Sequence, residues 1–141
     1  MQFYGRPLIG KILVLPKDSA AKFSYNKPWS CISISHTDRF PDIKKENRIG
    51  LLQLQFADID YYIEDVSFTN EQAKAALKFA GKVWDKSNIM MIHCHAGLSR
   101  SPAIAMALSE VYQKELADLF EQIYFPNTLV LEKLREHTRL L

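Results

Sequence analysis

Apolar residues gather in four short runs, and between them the spacing changes to that of helices. Residues 9–15 (I-G-K-I-L-V-L), 30–35 (S-C-I-S-I-S), 49–56 (I-G-L-L-Q-L-Q-F) and 88–93 (N-I-M-M-I-H) are bounded by Pro, Gly, Asp or Asn. That profile predicts buried strands, the first stopped by Pro16. Residues 18–24 read as a short helix. Thr69-Asn70-Glu71-Gln72 has the spacing of a capping box, with Thr69 as N-cap and Gln72 reaching back. Ala73, Ala76, Leu77, Ala80, Val83 and Trp84 then recur at helical spacing, and Trp84 reads as core packing. Residues 101–113 and 116–124 predict two more helices. A last one starts after Asn127, a good N-cap, and carries Leu129, Val130, Leu134 and Leu141, with 133–139 as its solvated face. Residues 36–48 form a polar loop without a period, and no repeat or low-complexity segment is visible.

Strands alternating with helices predict an α/β domain with a central, mostly parallel sheet of about four strands flanked by helices. The 141 residues suit a single domain over 1–141. A chain of this size buries about two thirds of its unfolded surface, so no metal or disulfide staple is needed. The apolar fraction, 48%, is ordinary, and a net charge of +2 points to no strongly charged partner. There is no basic run or zinc-finger spacing, so nucleic acid is not expected as a partner. The opening M-Q-F-Y-G-R-P lacks the apolar region of a signal peptide, and no apolar stretch approaches membrane-spanning length. A cytoplasmic location follows as the default, with no membrane association.

The chemistry concentrates in His93-Cys94-His95-Ala96-Gly97-Leu98-Ser99-Arg100-Ser101. The segment runs from a strand end to an alanine-rich helix with Pro102 in its first turn, where a missing N–H costs nothing. A tight loop at a helix N-terminus presents backbone N–H groups and attracts anions. Gly97 permits the turn, and Arg100 can grip two phosphate oxygens with its planar fork. The same setting favours thiolate over thiol, so Cys94 is expected to be an ionised nucleophile. Such a thiol requires a reducing compartment. The other cysteine, Cys31, lies in a strand-like run and reads as a small core residue. A metal reading of His93, Cys94 and His95 fails, because adjacent residues point different ways and no second ligand pair exists elsewhere.

This segment resembles the His-Cys-x5-Arg-Ser/Thr signature of the cysteine-dependent protein tyrosine phosphatase superfamily. Its G-x-S-R-S ending is most similar to the dual-specificity branch and to small prokaryotic tyrosine-phosphatase-like proteins. The looser resemblance runs from about Trp29 to Asn127, through P-W-S-C-I-S-I-S, L-Q-L-Q-F-A-D-I-D, the signature and a P-N pair. It implies a phosphotyrosine-phosphatase-like fold and phosphoester hydrolysis through a cysteinyl-phosphate. Cys94 would attack. Arg100 and the N–H groups of His95, Ala96, Gly97, Leu98 and Ser99 would bind the phosphate. Ser101 would assist departure of the thiolate, a role compatible with capping the helix. His93 would hold the loop through its ring, His95 would lie at the rim, and Ser99 would order the loop through a hydrogen bond. No metal or other cofactor is implied, because Arg100 and the loop dipoles supply the electrostatic stabilisation.

The resemblance also implies a general acid, an aspartate on the loop after the third strand. Asp58, Asp60 and Asp65 lie 36, 34 and 29 residues before Cys94. Spacing does not choose among them. The F-x-D-I pattern favours Asp58 with Asp60 close behind, and Asp60 equally fits a loop cap. In relatives an arginine often precedes the P-N pair. Here Gln122-Ile123-Tyr124-Phe125 stand before it, and that contact is missing. The implied partner is a phosphorylated protein, with phosphotyrosine or a similar aryl phosphate as default substrate. Other readings are a non-catalytic phosphate-binding module, a phosphatase of a phosphoinositide or an RNA 5′-phosphate, and sulfur or arsenate chemistry. The absence of lysine from the loop disfavours polyanionic lipids. The position of Cys94, two thirds along the chain, disfavours the low-molecular-weight and arsenate-reductase types.

Overall fold

The computed structural model describes residues 1–139. Leu141, which its spacing puts on the last helix, lies outside the described residues. A hairpin opens the chain: β1 (Gln2–Phe3) and β2 (Arg6–Ile9) pair antiparallel around Tyr4 and Gly5, at φ 53° and 77°. Gly10, at φ 59°, turns β2 back into β3 (Ile12–Pro16). The single strand expected over 9–15 is therefore split. Gly10 occupies the left-handed region that glycine reaches without strain, and a β-carbon there would overlap the Gln113 side chain.

The chain continues through α1 (Lys17–Lys22), β4 (Trp29–Ser35), β5 (Arg48–Gln55), α2 (Asn70–Val83), β6 (Ile89–Cys94) and α3 (Arg100–Tyr112). A 3₁₀ turn (Lys114–Leu116), α4 (Leu119–Ile123) and α5 (Thr128–Thr138) complete it. The single helix expected over 116–124 is thus two pieces. The capping box is formed: Thr69 Oγ1 accepts from Gln72 N and Gln72 Oε1 from Thr69 N, both at 3.0 Å.

The sheet has six strands in the order β1-β2-β3-β6-β4-β5, rather than the expected four or so. The four strands read from the apolar runs form its parallel part, β3–β6–β4–β5. The N-terminal hairpin adds the antiparallel remainder, from residues too polar and too short to make an apolar run. Side chains alternate between two buried faces. Ile12, Val14, Ile32, Met90 and Ile92 face a core with α2, α3 and α5. Leu13, Leu15, Cys31, Ile89 and Met91 face a second core with Ala20, Phe23 and Trp29. No helix among the described residues is long and apolar enough to cross a membrane.

Candidate active site

β6 lies between β3 and β4 in the interior of the sheet, and its carboxyl end carries Cys94, in register with Pro16 of β3. The chain then turns through 95–99 into α3. Gly97 makes the turn at φ 66°, and a β-carbon there would come within 2.7–2.9 Å of the Leu15 and Pro16 backbone. Glycine is required twice at this position, for its conformation and for the close approach of the two chains.

Five consecutive carbonyls of the loop are held from outside. Lys17 N–H donates to His95 O (3.0 Å), Phe125 N–H to Leu98 O (2.9 Å) and Asn127 N–H to Ser99 O (3.0 Å). Arg6 supplies the other two, with Nη2 donating to Ala96 O (3.0 Å) and Nη1 to Gly97 O (2.6 Å). In a planar trans peptide the C=O and the following N–H point in opposite directions. Pinning the carbonyls of His95 through Ser99 outward therefore turns the N–H groups of Ala96 through Arg100 to the other side. The result is a concave row of donors at a helix N-terminus, a ready anion cradle.

Arg100 is 6% exposed. Its Nη1 donates to Phe56 O at 3.0 Å, and its Nε is buried with no partner among the described residues. Cys94 is buried and its Sγ lies 3.0 Å from Ser101 Oγ. Ser101 is thus inside the first turn of α3 and directed at the sulfur. The N-cap is Ser99, whose hydroxyl is not used as a cap. His93 is fully buried: Nδ1–H donates to Cys94 O (3.3 Å), which leaves Nε2 to accept from the Ser33 hydroxyl. Burial pushes its pKa down from 6.5 to about 4, with the nearby Arg100 and Lys17 charges acting the same way against the Cys94 carbonyl contact. The ring is neutral at pH 7 and bridges the Ser33 hydroxyl and the Cys94 carbonyl, contacts that suit the expected strut. Burial pushes the Cys31 thiol far up, consistent with an inert core residue beside Met91.

Of the three aspartates, one is tied to the loop. Asp58 Oδ1 accepts from Ser99 Oγ (2.8 Å) and from Asn127 Nδ2 (2.9 Å). Asn127 Nδ2 also reaches Ile59 O (2.9 Å), while its Oδ1 caps α5 by accepting from Val130 N (3.1 Å). Asp60 lines the same cleft as Asp58 without such a tie. Asp65, at φ 65°, lies further off with Gln55, Phe56 and His36. The cleft on the Asp58 side, about 380 Å³, is walled by Asp58, Asp60, Tyr61, Ser99 and Phe125 through Thr128. A smaller cavity of about 130 Å³ opens beside Arg100 and His95, against Lys17, His36, Thr37 and Arg39. His95 is at the rim, and part of the polar loop expected over 36–48 faces the site. Two contributors lay outside the sequence reading: Arg6, from the N-terminal hairpin, and the Nδ2 half of Asn127.

No protein-family model and no curated protein matches the sequence. Solved structures do match the fold. The human tyrosine phosphatase-like serine/threonine/tyrosine-interacting protein is 18% identical, with a TM-score of 0.65 over 96% of this chain and 95% of that one. A mouse putative dual specificity phosphatase, solved with zinc tungstate, is 12% identical, with a TM-score of 0.65 over 96% and 87%. PTPMT1, solved in complex with PI(5)P, is 20% identical, with a TM-score of 0.59 over 96% and 94%. The chain shares the fold of these tyrosine-phosphatase-like and dual-specificity phosphatase structures.

Proposed function

We propose that the protein hydrolyses phosphoesters through a cysteinyl-phosphate intermediate, as a cysteine-dependent phosphatase of the tyrosine or dual-specificity type. One observation carries the reading: the loop that follows Cys94 has its carbonyls held outward, leaving its N–H groups to the other side, and it ends at Arg100, whose buried Nε has no partner among the described residues. A buried donor without a partner costs free energy, and an oxyanion held by the loop amides would satisfy the Arg100 Nε as well.

The Cys94 thiolate attacks phosphorus, and the bond from phosphorus to the leaving oxygen breaks. Asp58, held to the loop by Ser99 and Asn127, gives that oxygen its proton. Water then attacks the phosphocysteine and its proton returns to Asp58. The S–P bond breaks, and the departing thiolate accepts a hydrogen bond from Ser101. Arg100 and the amides of 96–100 stabilise the charge on the equatorial oxygens in both steps. His95, Ala96, Gly97, Leu98 and Ser99 form the walls of this cradle. The chemistry assigned to these residues calls for no metal or other cofactor, and the substrate class is a phosphorylated protein in a reducing compartment such as the cytoplasm.

The test is turnover of p-nitrophenyl phosphate by the native chain and by Cys94→Ser, with acid-quench trapping of the phosphoenzyme. Turnover and trapping by the native chain, lost in the variant, are expected. Vanadate binding without turnover would instead identify a phosphate-binding module. A panel of phosphotyrosine and phosphoserine peptides, a phosphoinositide and an RNA 5′-phosphate then ranks substrates. Asp58→Ala should slow an alkyl phosphate far more than p-nitrophenyl phosphate, and equal slowing removes Asp58 from the acid role.

A further inference from the structure

We propose that Arg6 is a positioning residue of the anion cradle: reaching from β2, its guanidinium fixes the direction of the Gly97 and Leu98 amides. The inference rests on reading 94–101 as an oxyanion site. Three of the five outward pins are main-chain N–H groups, from Lys17, Phe125 and Asn127, and they come with the fold whatever side chains those positions carry. The pins on the middle of the turn are different. Both come from the side chain of Arg6, at 2.6 Å to Gly97 O and 3.0 Å to Ala96 O.

The geometry suits an arginine in particular. Two carbonyls one residue apart match a planar fork of donors, and the delocalised cation strengthens both bonds. The guanidinium also lies over the Tyr124 ring, 5.6 Å from its centroid, and Tyr124 is itself buried. The stack holds the head group in place. Arg6 forms no ion pair with any described residue, so its charge is not engaged elsewhere. That charge sits behind the loop and adds to the field that favours an anion in front of it.

The turn needs such a clamp. Gly97 has no side chain to resist rotation of the flanking peptides, and Ala96 and Leu98 are exposed. Rotation of either peptide would swing a carbonyl into the cradle and an N–H out of it. The site would exchange an attractive dipole for a repulsive one where the oxyanion binds. Arg6 thereby preorganises the donors before any ligand arrives, and it does so from 91 residues away in sequence. It supplies a cationic brace that the residues before Pro126-Asn127 do not.

The experiment uses the full chain, Arg6→Ala and Arg6→Lys, with inorganic vanadate as the probe. Vanadate affinity is measured by calorimetry, the loop amides by ¹⁵N-resolved NMR, and the fold by thermal melting. Arg6→Ala is expected to bind vanadate about tenfold more weakly, or about 1.4 kcal/mol. Arg6→Lys should recover part of that, since a lysine offers a compact ammonium in place of the fork. The Gly97 and Leu98 amide resonances should shift or broaden in both variants. Those of Ser99 and Arg100, fixed by the Phe125 and Asn127 main chain, should stay. Vanadate affinity within about twofold of native in Arg6→Ala, or unmoved Gly97 and Leu98 amides, overturns the proposal. Should Arg6→Ala not fold, native-like affinity and amides in Arg6→Lys overturn it equally. The amides are read without any anion. If the native chain binds no vanadate, the oxyanion reading fails by itself and the clamp is still judged.

Discussion

Asn127 is where the proposed acid, Asp58, can be separated from the fold by a single atom. Replacing it by alanine removes the α5 cap, worth about 1 kcal/mol. It also removes the Nδ2 bonds to the Asp58 carboxylate and Ile59 O, worth about 1.5–3 and about 1 kcal/mol respectively when well sheltered. Asp58 is exposed, so the lower end applies and Asn127→Ala should cost about 3.5 kcal/mol in total. Asn127→Asp is the sharper perturbation. It keeps an oxygen for Val130 N and so keeps the cap. It replaces both donor contacts with a second carboxylate facing Asp58. Two unit charges about 4 Å apart repel by about 1 kcal/mol in water and about 4 kcal/mol at an effective dielectric near 20, and with Asp58 exposed but position 127 buried the repulsion lies between the two. Asn127→Asp should therefore remain folded and push Asp58 off Ser99. General acid catalysis is worth about 10²–10⁴-fold where the leaving group needs a proton, and little where it does not. The assay is kcat/KM on p-nitrophenyl phosphate against an alkyl phosphate, alongside urea unfolding. The expected result is a roughly 10²-fold loss on the alkyl ester with a change of only about threefold on the aryl one. Native leaving-group dependence in Asn127→Asp would refute the positioning argument. Equal losses on both esters would show that Asn127 supports the loop rather than the acid.

Three further outcomes follow from the geometry. Gly97→Ala must place a β-carbon 2.7–2.9 Å from main-chain atoms of Leu15 and Pro16. The left-handed backbone adds about 1–2 kcal/mol for a non-glycine residue, so urea unfolding should show a loss of more than about 2 kcal/mol, and a smaller loss would mean that the loop relocates cheaply. His93 has a folded pKa of about 4 against 6.5 when free, so the unfolded chain binds the extra proton between those values. Stability contributed by its neutral state is complete above pH 6.5 and is lost as pH falls towards 4, by about 3 kcal/mol in all. Unfolding measured between pH 4.5 and 7 should lose this part of its slope in His93→Asn, and an unchanged slope counts against the strut. Ser101→Ala removes the hydroxyl 3.0 Å from the sulfur. A hydrogen bond to a charged group is worth about 1.5–3 kcal/mol, so the second step should slow by about 10- to 100-fold. Rapid-quench kinetics should show a burst of p-nitrophenol with kcat/KM little changed, whereas loss of kcat/KM without a burst would assign Ser101 to the first step.

What could be read in advance divides by how far apart the interacting residues lie in the chain. Cys94, Gly97, Arg100 and Ser101 could be grouped from sequence because strand end, turn and helix start are consecutive, so the proposed anion site is a local structure. The Thr69 capping box was legible for the same reason, as its partners are three residues apart. The N-terminal hairpin was not, because two-residue β1 and the break at Gly10 leave no periodicity to count. Nor could Arg6 be placed at the loop, since its contacts require β2 to pair with β3 and β3 with β6, a strand order that no local pattern encodes. For the same reason, spacing could not choose among the aspartates. Asp58 and Asp60 differ by two residues in spacing, and what separates them is a hydroxyl and an amide arriving from elsewhere in the fold. Asn127 shows the division within one side chain. Its oxygen caps the helix three residues on and is predictable from sequence, whereas its nitrogen reaches back 69 residues to Asp58. The cap is what aims the amide: with Oδ1 committed to Val130 N, Nδ2 is left pointing at the acid loop, so local helix chemistry orients the contact that local sequence does not reveal.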